Sequence, residues 1–356
     1  MNEQDNDEWK VCVRCFTFNH APYIVDAMNG FTMQKTTFPY VCCIVDDAST
    51  DGEQEVIKSY LNEHFDLEDR KVERRKETDD YVLTFARHKS NLNCFFAVLL
   101  LKYNHYSIKK SKVPYLAKWL DKTKYIALCE GDDYWTDCGK LLKQVDFLEL
   151  NHDYSMCFTD VKDFHQAKGE FGKSAIASYN NTLLPQNKKE LFYYILLGKC
   201  RIQTLTVVFR KAFADTIVKN DVKFMMGDTT RWLDLSQKGP VYYIPEITGV
   251  YRIAEGSACR NPKTLLRFRL SMYEMRIYYC NKYGYELPAK IKREYNMQLA
   301  NICMNSDFVD ADALYPFFPM NALQLLCFKQ ATKHRVLVPI IKLLWSLESR
   351  INRYFR

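Results

Sequence analysis

Short apolar runs alternate with polar segments of helical character over the first half of the chain. The apolar runs predict strands at residues 10–18, 38–46 and 125–129, with a weaker strand beginning at Val72. The segments between them predict helices at residues 22–32, 51–62 and 85–106. Pro22 suits a first helical turn, and Thr50 with Glu53 has capping-box spacing. This alternation predicts an α/β fold with a largely parallel sheet and helices on its faces.

The second half continues the alternation less regularly. Helices are predicted at residues 140–150, 188–197, 211–219 and 227–239. Strands are predicted at residues 156–158, 203–209, 241–244 and 247–251, with loops over 162–186. Beyond Gly256 the chain becomes mostly helical and rich in Leu, Tyr, Met and Arg.

The composition is that of a globular protein of two or three structural units. The chain has 356 residues, of which 47% are hydrophobic, and its formal charge of +7 is a mild excess. The acidic start of the chain lacks the shape of a signal peptide, and no run approaches the roughly 18 apolar residues of a spanning helix. We therefore expect a cytoplasmic protein whose 13 cysteines are free thiols. Cys12 and Cys15 have C-x-x-C spacing without a second pair, which favours core packing over metal or redox chemistry.

Two pairs of adjacent carboxylates follow predicted strands. Asp132 and Asp133 follow the strand at 125–129 after Glu130-Gly131, and Asp46 and Asp47 lie at the end of the strand at 38–46. Ligands of parallel α/β sheets bind at the carboxyl ends of the strands, and Mg²⁺ takes oxygen ligands that it shares with phosphates. The structural alternatives are a solvated turn at Asp132 and Asp133, because Gly-Asp pairs form turns well, and an Asx turn into the next helix at Asp47.

The order of the acidic motifs resembles that of family 2 glycosyltransferases, which have the GT-A fold. The segment 46–51 resembles their D-D-x-S-x-D element, and 130–135 resembles their D-x-D element. Gly227-Asp228 followed by Trp232 resembles the motif that supplies their catalytic base. Tyr243-Ile244-Pro245-Glu246 and Tyr251-Arg252 also fit in order, so the resemblance covers residues 10–257. It is strongest toward bacterial members that build polysaccharide or lipopolysaccharide.

The resemblance implies a GT-A catalytic domain at 1–257, and the change of composition beyond it predicts a helical region at 258–356 that could associate with a membrane. Within the first, residues 1–135 would bind the nucleotide sugar and 136–257 the acceptor. The central sheet would be mostly parallel, with helices on both faces. The implied activity is inverting transfer of a sugar from a nucleotide sugar, expected to be UDP-linked, to a glycan or lipid-linked glycan.

The resemblance also assigns roles to individual residues. Asp133 would bind Mn²⁺ or Mg²⁺, and Asp228 would be the general base. The implied nucleotide-sugar site comprises Thr17, Asn19, Asp46, Asp47 and Asp132, with Asp47 accepting a hydrogen bond from the base. The implied acceptor site comprises Trp232 and Gln203. Helix capping by Asp228, core packing of Trp232 and turn formation by the polar residues remain alternatives.

Three features depart from the family pattern or add to it. Ala254 stands where many relatives carry a His that could bind the metal. An insertion at 102–124 holds seven Lys and one Asp, which predicts a solvated helix or loop, or a contact for anionic lipid or a phosphorylated acceptor. Residues 331–356 form a basic amphipathic pattern that could lie on a membrane or dock on the catalytic domain.

Other functions remain open at this point. A sugar nucleotidyltransferase also uses paired carboxylates with a metal and would release pyrophosphate. A catalytically silent, membrane-associated protein of the same fold is supported by Ala254. Nucleic-acid binding is not expected, because the basic segments lack interleaved readout motifs.

Overall fold

The computed structural model describes residues 9–69, 74–174, 184–218, 222–253, 262–289, 291, 339, 340 and 343. The strands are β1 (Trp9–Thr17), β2 (Tyr40–Asp46), β3 (Phe65–Asp66), β4 (Arg74–Glu77), β5 (Tyr81–His88), β6 (Cys94–Leu101), β7 (Thr123–Leu128), β8 (Tyr134–Trp135), β9 (Met156–His165), β10 (Glu170–Ser174), β11 (Val208–Arg210) and β12 (Val241–Ile253). The helices are α1 (Ile24–Thr32), α2 (Glu53–His64), α3 (Ala117–Leu120), α4 (Lys140–Leu150), α5 (Lys188–Leu196), α6 (Lys211–Asp215), α7 (Gly227–Ser236) and α8 (Pro262–Lys282).

These strands form one mixed sheet with a parallel centre. Its order is β3-β5-β6-β2-β1-β7-β11-β9-β12-β8, with β4 on β5 and β10 on β9. Strands β6, β2, β1 and β7 pair in parallel, whereas the pairs of β5 with β6 and of β11 with β7 are antiparallel. Every residue of β2 is buried, as expected for a central strand covered on both faces. Because β1 lies between β2 and β7, the carboxyl ends of all three strands meet at one edge.

The predicted elements that build this edge are confirmed. The strands at 10–18 and 38–46 and the helices at 22–32 and 51–62 correspond to β1, β2, α1 and α2. The strand at 125–129 corresponds to β7, and the helix at 140–150 is α4. The predicted α/β class with a parallel sheet core is therefore confirmed.

The predicted helix at 85–106 is wrong, because this segment contains β6 and the end of β5. These strands pair antiparallel, from Tyr81 with Leu101 to Arg87 with Phe95. Strand β6 is an apolar run that also pairs in parallel with β2. Periodicity alone cannot distinguish such a buried strand from a buried helix, and the neighbouring strand decides the outcome.

Three predictions in the second half also need correction. The predicted loops at 162–186 begin with the end of β9 and include β10. The two predicted strands at 241–251 are one strand, β12, with register irregularities between Tyr243 and Gly249. The predicted strand at 203–209 begins as a 3₁₀ turn at Thr204–Thr206 before β11. Val72 lies outside the described residues.

The chain divides into two compact units. Residues 1–219 with 231–255 form the first, and residues 220–230 with 256–356 form the second. The division expected from the sequence at 257/258 stays a prediction. In the part of the chain that the structure describes, no helix combines the length and apolar character needed to cross a bilayer. Ala254 and nearly all of the amphipathic segment 331–356 lie outside that part.

Candidate active site

The loops that follow β1, β2 and β7 meet at Thr17, the last residue of β1. Its carbonyl oxygen accepts the Asp47 N–H at 3.0 Å, and the neighbouring Phe16 carbonyl accepts the Gly131 N–H at 3.2 Å. The Thr17 side chain is buried, and its hydroxyl donates to the Glu53 carboxylate. Sheet order therefore brings together two acidic motifs that lie more than 80 residues apart in the sequence.

Glu53 links the first two of these loops and was missed as a site residue by the sequence reasoning. Its carboxylate also accepts the His20 N–H at 2.9 Å and the Ser49 hydroxyl at 2.8 Å. Burial raises the pKa of Glu53, and these hydrogen bonds oppose the change. The only sequence signal was the spacing of Glu53 from Thr50, which predicts a helix cap and no further role.

Asn19 and Asp46 both take part in the turn that follows β2. The Asn19 side-chain oxygen accepts the Thr50 N–H at 2.8 Å, and Asp46 Oδ1 accepts the Ser49 N–H at 3.1 Å and the Gln54 amide at 2.5 Å. Asp46 Oδ2 is buried and has no hydrogen-bond partner among the described residues. A buried carboxylate oxygen without a partner is costly, so a hydrogen-bond donor brought against this atom would stabilise it.

Asp47 is almost completely buried and is enclosed by the insertion that precedes β7. Asp47 Oδ1 accepts the His105 N–H at 2.7 Å. Asp47 Oδ2 accepts the Tyr106 N–H at 3.1 Å and the Lys112 ammonium at 2.7 Å. The carboxylate that the resemblance assigns to the base is thus already bonded to three donors of the chain itself.

The insertion at 102–124 differs from the predicted solvated helix or loop. It contains a 3₁₀ turn at Val113–Leu116 and helix α3, and the side chains of Leu116 and Trp119 are in the core. Four of its lysines form ion pairs with acids elsewhere in the chain: Lys102 with Glu77, Lys110 with Asp80, Lys112 with Asp47 and Lys124 with Glu149. These pairings leave less free positive charge for a lipid or phosphate contact than the sequence suggested.

The second acidic motif concentrates negative charge after β7. Burial raises the pKa of Asp133 well above its usual range, and the neighbouring Asp132 carboxylate adds to this. Burial also raises the pKa of Glu130 to about 7, although Arg14 opposes the change. Asp132 is more accessible, with 28% of its side chain exposed, and its Oδ2 lies 4.0 Å from His20 Nε2.

Arg252 holds this motif in place and was assigned no role in the site from the sequence. Its backbone N–H donates to Asp133 Oδ1 at 2.8 Å, and its Nε donates to the Asp132 carbonyl at 2.8 Å. The guanidinium also pairs with Asp26 at 2.8 Å and lies over the Tyr23 ring, 4.5 Å from its centroid. The Tyr251-Arg252 pair is part of the resemblance, but the acids that Arg252 contacts, Asp133 and Asp26, are 119 and 226 residues away.

The motif suits a hard divalent cation, although it does not form a complete metal site. Within the described ranges, no group of three or more His, Cys, Asp or Glu side chains is arranged to hold a metal ion. Mg²⁺ is commonly bound by one or two carboxylates together with substrate phosphates, and Asp132 and Asp133 supply such oxygens. A cation would also offset the two causes that raise the pKa of Asp133, its burial and the negative charge of Asp132.

Asp228 and Trp232 both lie on α7. Asp228 is in the first turn, in the second compact unit, and its Oδ1 accepts the Thr229 N–H at 2.7 Å. Trp232, in the first unit, is 2% exposed, which favours the packing alternative over stacking on a sugar. Its indole Nε1 is buried without a hydrogen-bond partner among the residues described. Arg231 on the same helix lies close enough to Glu130 to oppose the rise in its pKa.

Gln203 precedes the turn that leads into β11 and belongs to a polar cluster in the first unit. Its amide oxygen, when it faces Arg201, accepts Nε of that guanidinium at 2.7 Å. Arg201 also donates to Asp163 at 3.1 Å and lies 5.4 Å from the centroid of the Tyr251 ring. Asp163 Oδ1 is buried without a partner in the described part of the chain.

Comparison with known proteins gives distant sequence relatives. No family model matches the chain. The uncharacterized proteins Rv1520 of Mycobacterium tuberculosis and Mb1547 of Mycobacterium bovis are each 28% identical to it over 236 residues. The match covers 66% of this chain and 56% of each relative, so the chain spans little more than half the length of these proteins.

Comparison with solved structures gives the fold. Residues 1–349 of S. aureus TarS, in complex with UDP-GlcNAc, align with a TM-score of 0.50 and 16% identity over 94% of this chain and 86% of that one. The mannosyltransferase PcManGT from Pyrobaculum calidifontis, in complex with GDP-Man and Mn²⁺, aligns with a TM-score of 0.47 and 11% identity over 96% and 88% of the two chains. The likeness to TarS confirms the predicted GT-A fold over nearly the whole chain.

Proposed function

We propose that this chain is a glycosyltransferase that moves a sugar from a nucleotide sugar to a glycan or lipid-linked glycan acceptor. One observation carries the proposal. In a GT-A fold, the loops after β2 and β7 bring Asp46, Asp47, Asp132 and Asp133 to the same edge of the sheet, on either side of Thr17. Ligands of α/β sheets bind at this edge, and these acids suit a nucleotide and a metal-bound diphosphate.

The donor lies at the ends of β1 and β2 in this proposal. Thr17 and Asn19 line the site from β1, and Asp46 ends β2 beside them. Asp47 lies beneath this surface. The presence of UDP-GlcNAc in the S. aureus neighbour supports a UDP-linked donor.

Asp133 would hold the divalent cation, and Asp132 would contact the ribose or the water shell of the metal. When bound, Mn²⁺ or Mg²⁺ neutralises charge on the leaving diphosphate. Arg252 fixes both residues through its bonds to the Asp133 side chain and the Asp132 carbonyl. Because the Arg252 guanidinium is paired with Asp26, Arg252 mainly positions the two acidic residues and adds little free positive charge to the site.

Asp228 acts as the general base. It removes the acceptor proton as the hydroxyl attacks the anomeric carbon from the face opposite the leaving group, so the configuration inverts. Gln203, in its cluster with Arg201 and Asp163, contributes to the acceptor site, and Trp232 supports it from the core. In this proposal the C-terminal region approaches a membrane surface, where lipid-linked acceptors are located.

Release of nucleoside diphosphate from a panel of UDP- and GDP-sugars tests the proposal. The protein is incubated with each donor and Mn²⁺ or Mg²⁺, and the products are separated by anion-exchange chromatography. We expect metal-dependent release that is lost in Asp133→Asn and kept in Asp153→Asn, a control outside the assigned site. Release of pyrophosphate from a sugar phosphate and a nucleoside triphosphate would instead identify a nucleotidyltransferase. If neither product forms and no nucleotide binds, the catalytic proposal is wrong.

A further inference from the structure

Asp47 cannot be reached by a ligand in this structure. Its side chain is 1% exposed, and both of its oxygens accept hydrogen bonds, from the backbone N–H groups of His105 and Tyr106 and from Lys112. A carboxylate that is to accept a hydrogen bond from a nucleobase must present an oxygen to the binding site. Direct contact between Asp47 and a base would therefore require the residues that cover it to move away.

The donors belong to a segment that is firmly held, residues 103–112, here called the capping loop. The Tyr103 ring stacks on the His105 imidazole at 4.7 Å, and His105 Nε2 lies 2.9 Å from the Tyr115 hydroxyl. Asp80 accepts hydrogen bonds from the Tyr115 hydroxyl at 2.8 Å and from Lys110 at 2.9 Å. The capping loop is thus attached to Asp47 on one side and to Asp80 on the other, so its displacement would break several bonds together.

Lys112 is the part of this arrangement that a ligand can reach. About a sixth of its side chain is exposed, and its ammonium lies 5.1 Å from the centroid of the Phe16 ring at the end of β1. Its positive charge also opposes the rise in the pKa of Glu130. Lys112 therefore lies between the two acidic motifs. An ammonium has three N–H donors, and among the described residues Asp47 is its one hydrogen-bond acceptor.

We infer that Lys112 binds the nucleotide of the donor and that Asp47 acts through it, as a positioning residue. An ammonium only donates, so the ligand atom that it meets is an oxygen acceptor of a nucleoside diphosphate, either a phosphate oxygen or a carbonyl oxygen of the base. Asp47 holds the ammonium in one place and offsets the cost of burying its charge. The inference rests on the proposed nucleotide-sugar activity and changes how the base end of that site is recognised.

Direct recognition by Asp47 predicts the opposite response to loss of Lys112. If Asp47 itself accepted a hydrogen bond from the base, removing Lys112 would take away one of the two donors on Asp47 Oδ2 and leave nucleotide binding unchanged or tighter. If Lys112 makes the contact, removing it weakens binding. The sign of the change in affinity therefore decides between the two arrangements.

Calorimetric titration of the full chain with UDP, with Mn²⁺ present, measures that change. We expect Lys112→Met to bind UDP about 10- to 100-fold more weakly, the range for a hydrogen bond to a charged group. Lys112→Arg should largely restore binding. Lys109→Met, which removes an exposed lysine from the same capping loop, should bind as the wild type does. Unchanged or tighter binding by Lys112→Met overturns the inference.

Lys112→Met leaves a buried carboxylate without its cation, so a second variant is tested in case the first one does not fold. Lys112→Gln retains an N–H donor for Asp47 and removes the charge. It should also bind UDP more weakly than the wild type, and wild-type affinity in a folded Lys112→Gln protein equally overturns the inference. Circular dichroism establishes that each variant is folded.

Titration with a second ligand and the behaviour of the wild-type protein distinguish the remaining outcomes. Titration with uridine distinguishes the ligand atoms, since a loss confined to UDP identifies a phosphate contact and a loss for both identifies a base carbonyl. A wild-type protein that binds no nucleotide overturns the proposed function and this inference together. A wild-type protein that binds UDP while Lys112→Met matches it overturns the inference alone.

Discussion

Replacement of Gly131 by alanine should destabilise the site edge of the sheet. A Cβ added at Gly131 would lie 2.0 Å from Thr17 Oγ1, 2.6 Å from Thr17 Cβ and 3.2 Å from His20 Nδ1. Rotation of the Thr17 side chain can move Oγ1 but not Cβ, which is fixed to the backbone of β1. The new methyl group therefore requires a backbone shift where the loops after β1 and β7 meet.

The cost follows from two terms. Overpacking of a closely packed site costs about 1–3 kcal/mol. Displacing the Thr17 hydroxyl also weakens its hydrogen bond to the buried Glu53 carboxyl, for which about 1–3 kcal/mol is typical. We expect the free energy of unfolding to fall by about 3 kcal/mol and the Tm of the first unit to fall by about 6–12 °C.

Urea denaturation followed by circular dichroism checks this value, and UDP titration reports on the site. Gly139→Ala is the control in the same unit, because its nearest atoms are side-chain atoms, Lys143 Cε at 3.3 Å and Asp137 Oδ1 at 3.4 Å, that can move. That variant should remain within about 1 kcal/mol of the wild type. If Gly131→Ala changes the unfolding free energy by less than about 0.5 kcal/mol, the two loops do not approach each other as described.

Three further predictions concern other parts of the chain. Burial lowers the pKa of Lys140 from 10.5 to about 8, so the unfolded chain binds this proton more tightly and the charge costs about 3 kcal/mol below pH 8. Lys140→Met should therefore be more stable than the wild type at pH 7, by up to about 3 kcal/mol, and this difference should shrink as the pH rises to 10.5. Urea denaturation that finds the same difference in unfolding free energy at pH 7 and at pH 10 would contradict this. Arg252→Met removes the bonds to Asp26 and to the Asp132 carbonyl, so it should lower the unfolding free energy by about 2–4 kcal/mol and weaken Mn²⁺-dependent UDP binding. A folded variant that binds UDP as the wild type does would exclude the positioning role of Arg252. Asp228→Asn should reduce kcat by about 10²–10⁴-fold while calorimetry finds UDP binding unchanged, and normal turnover would exclude this residue as the base.

The local pattern predicted the parallel core because each of its elements has a strong signal of its own. The buried run of β2, the helix after Gly52 and the apolar run of β7 can be recognised without their neighbours. The same reasoning failed at β6, where a continuous apolar run fits a buried helix equally well. Pairing with β2, which the sequence does not display, makes this segment a strand.

The roles of individual site residues were less predictable than the site itself. Asp47 was found from its position after β2, but its partner Lys112 lies 65 residues away in a segment expected to be solvated. Arg252 reaches Asp133 from 119 residues away. No spacing rule covers such contacts, since the sheet order and not the separation in sequence brings the residues together.

The sequence by itself therefore determined which elements form the parallel core and which acidic motifs follow its strands. Hydrophobic periodicity and the position of polar residues after apolar runs are local properties, so they can be recognised in a single sequence. Only the tertiary structure decided that Asp47 is enclosed by the capping loop, that Glu53 joins the loops after β1 and β2, and that Arg252 fixes the second acidic motif. Each of these contacts depends on burial and on donors from elements that are distant in the sequence, and these donors come close to the site only when the sheet has formed.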